Sequence, residues 1–416
     1  MRDRFGQRPL PFVFAANLVS MIGSGMNSAA VGWYILRATH SEVALGTLVV
    51  VQTIPAMLML PFTGVIIDRE DRRRLVMWLD AVRAVIIATV AVLASLHRVQ
   101  VWELYLMNTL VAAGFWMFWP TITALIQELT PEGGFVHSNT LLLAGVQGGW
   151  LIAGSFVGFM YNHVGLGGVL TIDVSTYVVS FLCYFAVRKG RHVVMRPGEL
   201  RADIIAAENR LKHFWHEMRE GLRFLRDRRA VVLLGISWAL FLGAMQTGAV
   251  VTPSLSDRIF HAGPVGYGWL SAGWGTGAFL SVLYAPAVIA TLGGRRTVAF
   301  SMALISAAIA LAPIAPFLFF AIAAYFIMGS ARGVGGVAMN TSLMEMVPEH
   351  LMGRVQNTFY FAGTFLQVAL AFIVGAVAHN VSLVVAFAIL ACVYGLSFVA
   401  SSWPAETPIQ EEIAAE

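Results

Sequence analysis

Residues 381–402, VSLVVAFAILACVYGLSFVASS, pass without one Asp, Glu, Lys or Arg. A helix needs about 20 consecutive apolar residues to cross a bilayer. Runs of this kind recur and account for most of the chain. Twelve are identified, near 12–36, 43–67, 75–96, 101–125, 139–162, 168–187, 230–255, 264–290, 298–315, 317–343, 354–378 and 381–402. They are long and do not alternate, so each is read as a helix rather than a strand. Only 12% of the 416 residues are charged, against about 25% in a soluble domain. Such a chain cannot clothe itself in a polar surface, and the expected fold class is an all-α membrane protein.

Arginine and lysine set the orientation. Cationic residues gather on the cytoplasmic side of membrane proteins. With the N-terminus inside, 22 of the 27 fall on cytoplasmic segments, and only Arg37, Arg98 and Arg258 fall outside. Both termini are therefore expected in the cytoplasm, with membrane lipid around the spans. The first run, preceded by Arg2, Arg4 and Arg8, is too long for a cleaved leader and is read as a membrane helix.

The same inventory excludes several function classes. No long basic tract points to nucleic acid. No HExxH or comparable spacing points to a metal, and no P-loop to ATP. No cofactor is expected. No cluster of His, Asp or Cys at one depth points to catalysis, so no catalytic residue is assigned and an enzyme is not expected. Cys183 and Cys392 lie inside apolar runs and read as small buried hydrophobes, without a disulfide framework.

The chain repeats. Glu128, Pro131 and Glu132 return 217 positions later as Glu345, Pro348 and Glu349, each set joining an even-numbered span to the next. Two pseudo-symmetric six-helix bundles follow, 1–187 and 230–403, with a cytoplasmic linker at 188–229 and a tail at 404–416. In the linker, Leu211, Phe214, Trp215, Met218, Leu222 and Leu225 keep helical spacing opposite basic residues. That pattern predicts an amphipathic helix along the inner membrane surface.

One dense knot of charge, DREDRRR at 68–74, interrupts the second and third runs. Read with its flank, Gly64-Val-Ile-Ile-Asp68-Arg69-Glu-Asp-Arg72-Arg73 resembles the loop signature G-x-x-x-D-R-x-G-R-R of the major facilitator superfamily. Asp71 stands where the family has glycine. A weaker copy lies at Gly293-Gly294-Arg295-Arg296. The following LDAVRA, with VPEHLMGRV at 347–355, resembles the branch containing enterobactin exporters and drug efflux proteins. The resemblance implies the major facilitator fold, with two bundles rocking about a central site. It also implies a monomer in the cell's inner membrane, moving a small organic molecule.

Within that expectation the knot is a cytoplasmic gate. Asp68 would face the N-terminus of the eleventh helix near Gly353 and Arg354, and Arg69, Arg72 and Arg73 would pair with acids such as Glu128. Such contacts would favour the state closed on that side. The alternative is a solvated turn.

Polar residues on one face of a membrane helix usually face the interior or a wet path. Asn17, Ser20, Ser24 and Asn27 make such a stripe in the first span, and Asn357, Tyr360, Thr364 and Gln367 another in the eleventh. Gln147 and Trp150 in the fifth, with Trp238 and Gln246 in the seventh, complete the candidate cavity. The alternative is hydrogen bonding between helices, worth ~0.6 kcal/mol on average. The weakly polar, tryptophan-rich set suits a bulky amphipathic molecule, drug-like or siderophore-like, better than a sugar or a bare ion. Arg332, mid-span in the tenth helix, binds an anionic group of the substrate or pairs with the backbone at 333–336.

Coupling has three candidates. Asp80 and Arg83, one turn apart, read as an ion pair. Asp173 reads as a carboxylate held by the N-terminus of the sixth helix. The family's antiporter signature in the fifth span survives only as Gly154 and Gly158, which weakens the case for protons as coupling ion. Export is the leading expectation. An importer of a small organic or lipid-like solute, and a receptor or scaffold that does not transport, remain the alternatives.

Overall fold

Leucine, alanine, valine and phenylalanine without interruption leave the backbone one way to satisfy itself away from water, which is the α-helix. The computed structural model describes residues 10–130, 135–187, 223–226 and 228–403. These form α1 (Leu10–Thr39), α2 (Glu42–Arg69), α3 (Arg72–Ser95) and α4 (Val101–Leu129). The stretch Phe135–Ala186 is broken at Gly165 into α5 and α6. There follow α7 (Arg229–Ser254) with a π-helical turn (Leu255–Ile259), α8 (Gly263–Leu292), α9 (Gly294–Leu311), α10 (Leu318–Met346), α11 (Glu349–Asn380) and α12 (Leu383–Ser402). Most of the linker, including the amphipathic stretch before 223, and the tail from 404 lie outside the described residues.

Local chemistry places the breaks. Gly165 has φ 63° and ψ −171°, a backbone open essentially to glycine alone, so the chain turns there. Asp71 caps α3, accepting from the Arg74 N–H at 3.1 Å. One of the acids in the charged knot therefore starts a helix. Glu103 reaches back to the Gln100 N–H at 2.8 Å to start α4. His40, His97 and His261 close α1, α3 and the π-helical turn with φ between 51° and 54°, left-handed positions that end helices.

Among the described residues, ten helices are long and apolar enough to cross a membrane. The expected twelve differ from this in two places. The described apolar part of α2, Glu42–Pro55, is short, and α5 and α6 contribute one stretch, Phe156–Ala186. The outer surface is greasy: Leu283 is 77% exposed and Phe319 73%. In water such a surface would aggregate; in lipid it is the natural boundary. Cys392 is exposed on α12 and Cys183 half-buried, against the expectation that both are buried. With lipid outside, an apolar residue has no need to face inward.

Two compact units emerge. Unit 1 comprises Met1–His40, Val50–Arg210 and Pro264–Gly275; unit 2 comprises Ser41–Val49, Leu211–Gly263 and Thr276–Glu416. In unit 1, α1 and α3 both pack on the α5–α6 stretch, and α3 packs on α4. In unit 2, α7 packs on α11 and α12, and α9 on α10 and α12. The first turns of α2 belong to unit 2 and those of α8 to unit 1. Glycines permit both approaches. A side chain at Gly158 would strike the backbone of Pro264 and Gly268, and one at Gly154 would strike Ser271. In unit 2, Gly46 lies against the Ala371 carbonyl and Gly375 against that of Glu42. The glycines left of the antiporter signature thus serve close helix packing.

Candidate functional site

The inward stripe of α3 reads Val76, Asp80, Arg83, Ile87, and all four side chains are buried. Two of them are charged. Arg83 Nη2 donates to Asp80 Oδ1 at 2.5 Å, and Ser180 of α6 donates to the other carboxylate oxygen at 2.6 Å. The guanidinium lies 4.6 Å from the ring centres of both Phe118 and Tyr177. Taking two charges out of water costs several kcal/mol each, and attraction offsets this only when the remaining hydrogen-bonding capacity is met. Here the carboxylate is held on both oxygens and the cation lies between aromatic faces, while its Nη1 is buried with no hydrogen-bond partner among the described residues.

A second carboxylate lies near. Asp173 on α6 is fully buried and accepts from Asn27 Nδ2 of α1 at 2.7 Å. Thr176 Oγ1 is 3.5 Å from its Oδ1. The expected capping by the N-terminus of α6 does not occur. Gly165 starts the helix two turns earlier, and the holding donors come from side chains. Asp80, Arg83 and Asp173 interact electrostatically, so one guanidinium serves two carboxyl groups.

The stripe on α1 is accordingly not where a cavity lining was expected. Asn17 and Ser20 are wholly buried, and Asn27 is 4% exposed. Ser24 is within 2.9 Å of Tyr177 Oη. These residues turn into unit 1 toward α5 and α6. Gly23 sits directly against Asp173 and Thr176, and Gly145 against Asn17. Sequence spacing located a polar face correctly but could not say which neighbour it met.

Unit 2 gathers a different set. Trp238 stacks on Phe241 with ring centres 5.6 Å apart, and Phe241 meets Tyr394 edge-on at 6.4 Å. Tyr394 in turn interacts with Arg332 of α10, whose Nε lies 3.0 Å from Met245 Sδ. An aromatic ladder thus ends at a half-buried cation. On α7, Gln246 is exposed. On α11, Asn357 is exposed, Tyr360 and Gln367 are half-buried, and Thr364 turns back to the Tyr360 carbonyl at 2.8 Å. Gln356 and Asn340 join α11 to α10 at 3.1 Å. On α5, Trp150 is 37% exposed and packs beside Gly25; the Gln147 side chain lies outside the described residues.

At the charged knot, Arg72 reaches the Ala124 carbonyl at 3.2 Å and Glu128 at 3.5 Å. Among the described residues, Arg73 meets no acid. It donates to the carbonyls of Tyr184 and Phe185, both at 2.7 Å, at the end of α6. A cation satisfies the unpaired carbonyls of a helix C-terminus, which an acid-pairing expectation overlooks. Arg295 does the same for α12, donating to the Trp403 carbonyl. The weaker copy of the knot therefore repeats one structural task. The side chains of Gly64, Asp68, Arg69 and Gly353 lie outside the described residues. Arg354 is half-buried.

Glu42 carries no motif and escaped the sequence reading. It is wholly buried at the start of α2. Its Oε1 accepts from Ser254 Oγ at 2.7 Å and lies 3.0 Å from Arg258 Nη1. Its only sequence signal is an acid at the edge of an apolar run.

Comparison with known proteins agrees with this geometry. The family described as transmembrane secretion effector, within the major facilitator class, matches residues 5–413. The MFS-type transporter YkuC of Bacillus subtilis (strain 168) is 24% identical over 85% of this chain and 82% of its own length. The multidrug efflux pump Tap of Mycolicibacterium fortuitum is 22% identical over 83% of each chain. Among solved structures, the nucleoside transporter NupG (D323A mutant) superposes with a TM-score of 0.75 at 12% identity, over 95% of this chain and 99% of that one.

Proposed function

This chain belongs to the transmembrane secretion effector family of the major facilitator superfamily, and on that premise we propose that it exports a bulky amphipathic organic molecule by alternating access. The chain is a multi-pass membrane transporter. The proposed membrane is the cell's inner membrane with both termini cytoplasmic, supported by the arginine distribution. The observation that carries the substrate reading is the ladder Trp238–Phe241–Tyr394 ending at Arg332. Aromatic faces suit an apolar body and are tolerant of its shape, while a guanidinium at the end suits an acidic or polar head. The relation to a multidrug efflux pump supports the outward direction.

Asp173 is the proposed exchangeable proton site. Around it the charged and titratable groups are Asp80 and Arg83 of α3 and Tyr177 of α6; α1 offers Asn27, an uncharged donor. One proton on the two carboxyl groups balances the single guanidinium, so loading and release of that proton changes the buried charge by one unit. Bringing a charge into lipid is costly, which ties the proton to the conformational cycle.

The test is transport in sealed proteoliposomes with amphipathic fluorescent dyes and drug-like compounds, with and without an imposed pH gradient. Arg332→Gln is expected to weaken apparent affinity roughly tenfold for substrates with an acidic group. Asp173→Asn is expected to abolish gradient-driven movement while sparing substrate exchange. Dye accumulation that ignores the gradient in the unaltered protein would remove the proton role. A folded protein that moves no compound in either direction would favour a receptor.

A further inference from the structure

The Glu42 cluster is not accounted for by substrate or proton. Glu42, at the start of α2, has no exposed surface, yet its two neighbours Arg258 and His379 reach solvent, with side chains 41% and 40% exposed. His379 Nδ1 of α11 lies 3.4 Å from the second carboxylate oxygen. Below the cluster, α2 and α11 touch backbone to backbone. Gly46, one turn on from Glu42, lies so near the Ala371 carbonyl that a Cβ would come within 2.5 Å of it. Gly375, one turn before His379, stands in the same relation to the Glu42 carbonyl at 2.8 Å. Glu42 and Gly46 therefore share one face of α2, and Ala371, Gly375 and His379 share the facing side of α11. Arg258 comes from the π-helical turn after α7, a deviation common at functional places in helices.

All these residues, with 41–49, belong to unit 2, whereas α2 from Val50 onward belongs to unit 1. The first turns of α8 mirror this, belonging to unit 1, but there the contacts are apolar and aromatic. Phe159 meets Trp269 at 5.4 Å, and Trp33 stacks on Tyr267 at 6.3 Å. At the α2 seam the described contacts include an ion pair. A well-packed apolar residue would hold the seam at no loss of stability. What a carboxylate adds is reversibility: water can replace Arg258 and Ser254 as its partners once the seam parts, and its attraction to them is regained on closing.

We propose that Glu42 is a gate residue, whose carboxylate clamps the first turns of α2 to α7 and α11 and must be released each time the transporter opens at that end. This rests on the alternating-access reading above. The positioning role acts through the seam and involves no contact with substrate.

The test uses the full chain, purified in detergent, with Cys183 and Cys392 replaced by serine and a single reporter, Ala371→Cys. Ala371 is fully buried beneath the clamp. Maleimide labelling of the reporter is expected to be slow. Glu42→Gln and Arg258→Gln are each expected to speed it roughly tenfold, with no further gain when combined. Glu42→Asp is expected to restore slow labelling in part. Unchanged labelling in folded Glu42→Gln and Arg258→Gln overturns the proposal. Should Glu42→Gln not fold, Arg258→Gln decides alone, since its side chain is largely solvated. Faster labelling together with no transport of any compound keeps the clamp and removes the transport reading, so the two fail separately.

Discussion

The same positions in the two units hold opposite chemistry. Between α3 and α9 the register is 222 residues, and Val76, Asp80, Arg83 and Ile87 meet Val298, Met302, Ile305 and Ile309, buried in both places. Between α6 and α12 it is 217. Asp173 becomes Leu390, while Tyr177 and Ser180 persist as Tyr394 and Ser397. Where unit 1 has Ser180 donating to a carboxylate at 2.6 Å, unit 2 has Ser397 paired with Ser237 at 2.7 Å. At these positions of α9 and α12, unit 2 packs apolar residues where unit 1 packs charged ones. That difference between the units is the reason the charges of unit 1 enter the proton proposal.

The comparison is open to direct attack. The largest effect is expected from Arg83→Ile alone, which leaves Asp80 buried without its cation. The loss is about 3–5 kcal/mol, read as a collapse of thermal stability in detergent. Ser180→Ala removes a donor to an ionised group and is expected to cost about 1.5–3 kcal/mol. Ser397→Ala removes a neutral partner and is expected to cost about 0.5–1.5 kcal/mol, so the two serines should separate in the same melting experiment. Equal losses would mean that the Asp80 carboxylate contributes nothing special. The smallest change in stability is expected from Asp80→Met, Arg83→Ile and Asp173→Leu together, which installs the residues of unit 2 and leaves no carboxyl group without its cation. Melting should move by little, or upward, while gradient-driven transport is lost. A triple variant that fails to fold would show that unit 1 depends on its ions after all, and would weaken the proton assignment with it.

Much of the fold was legible in the chain. The apolar runs located nearly every helix, and Asp80 and Arg83 were near enough in sequence to be paired by spacing alone. Arg72 and Glu128 meet as the charged knot suggested. The orientation of the polar stripe on α1 was not legible. A soluble helix shows which face is buried because the other face must be polar. In α1 the polar stripe is flanked by apolar residues on every other side, since lipid is as greasy as the protein interior. Asn17, Ser20 and Asn27 could then face a cavity or a neighbouring helix with the same sequence pattern.

Hydropathy, charge asymmetry and the 217-residue repeat determined by themselves that this chain is a membrane-embedded bundle of helices in two related halves. Each of those signals is local or periodic, and the cost of exposing a peptide bond to lipid leaves little choice about secondary structure. Only tertiary structure decided that Asp173 rests on Asn27, that Arg73 and Arg295 cap helix ends, and that Glu42 meets Ser254, Arg258 and His379. Those partners are separated by tens to hundreds of residues, and close packing of helices through glycine, which leaves no periodic trace, is what brings them within bonding distance.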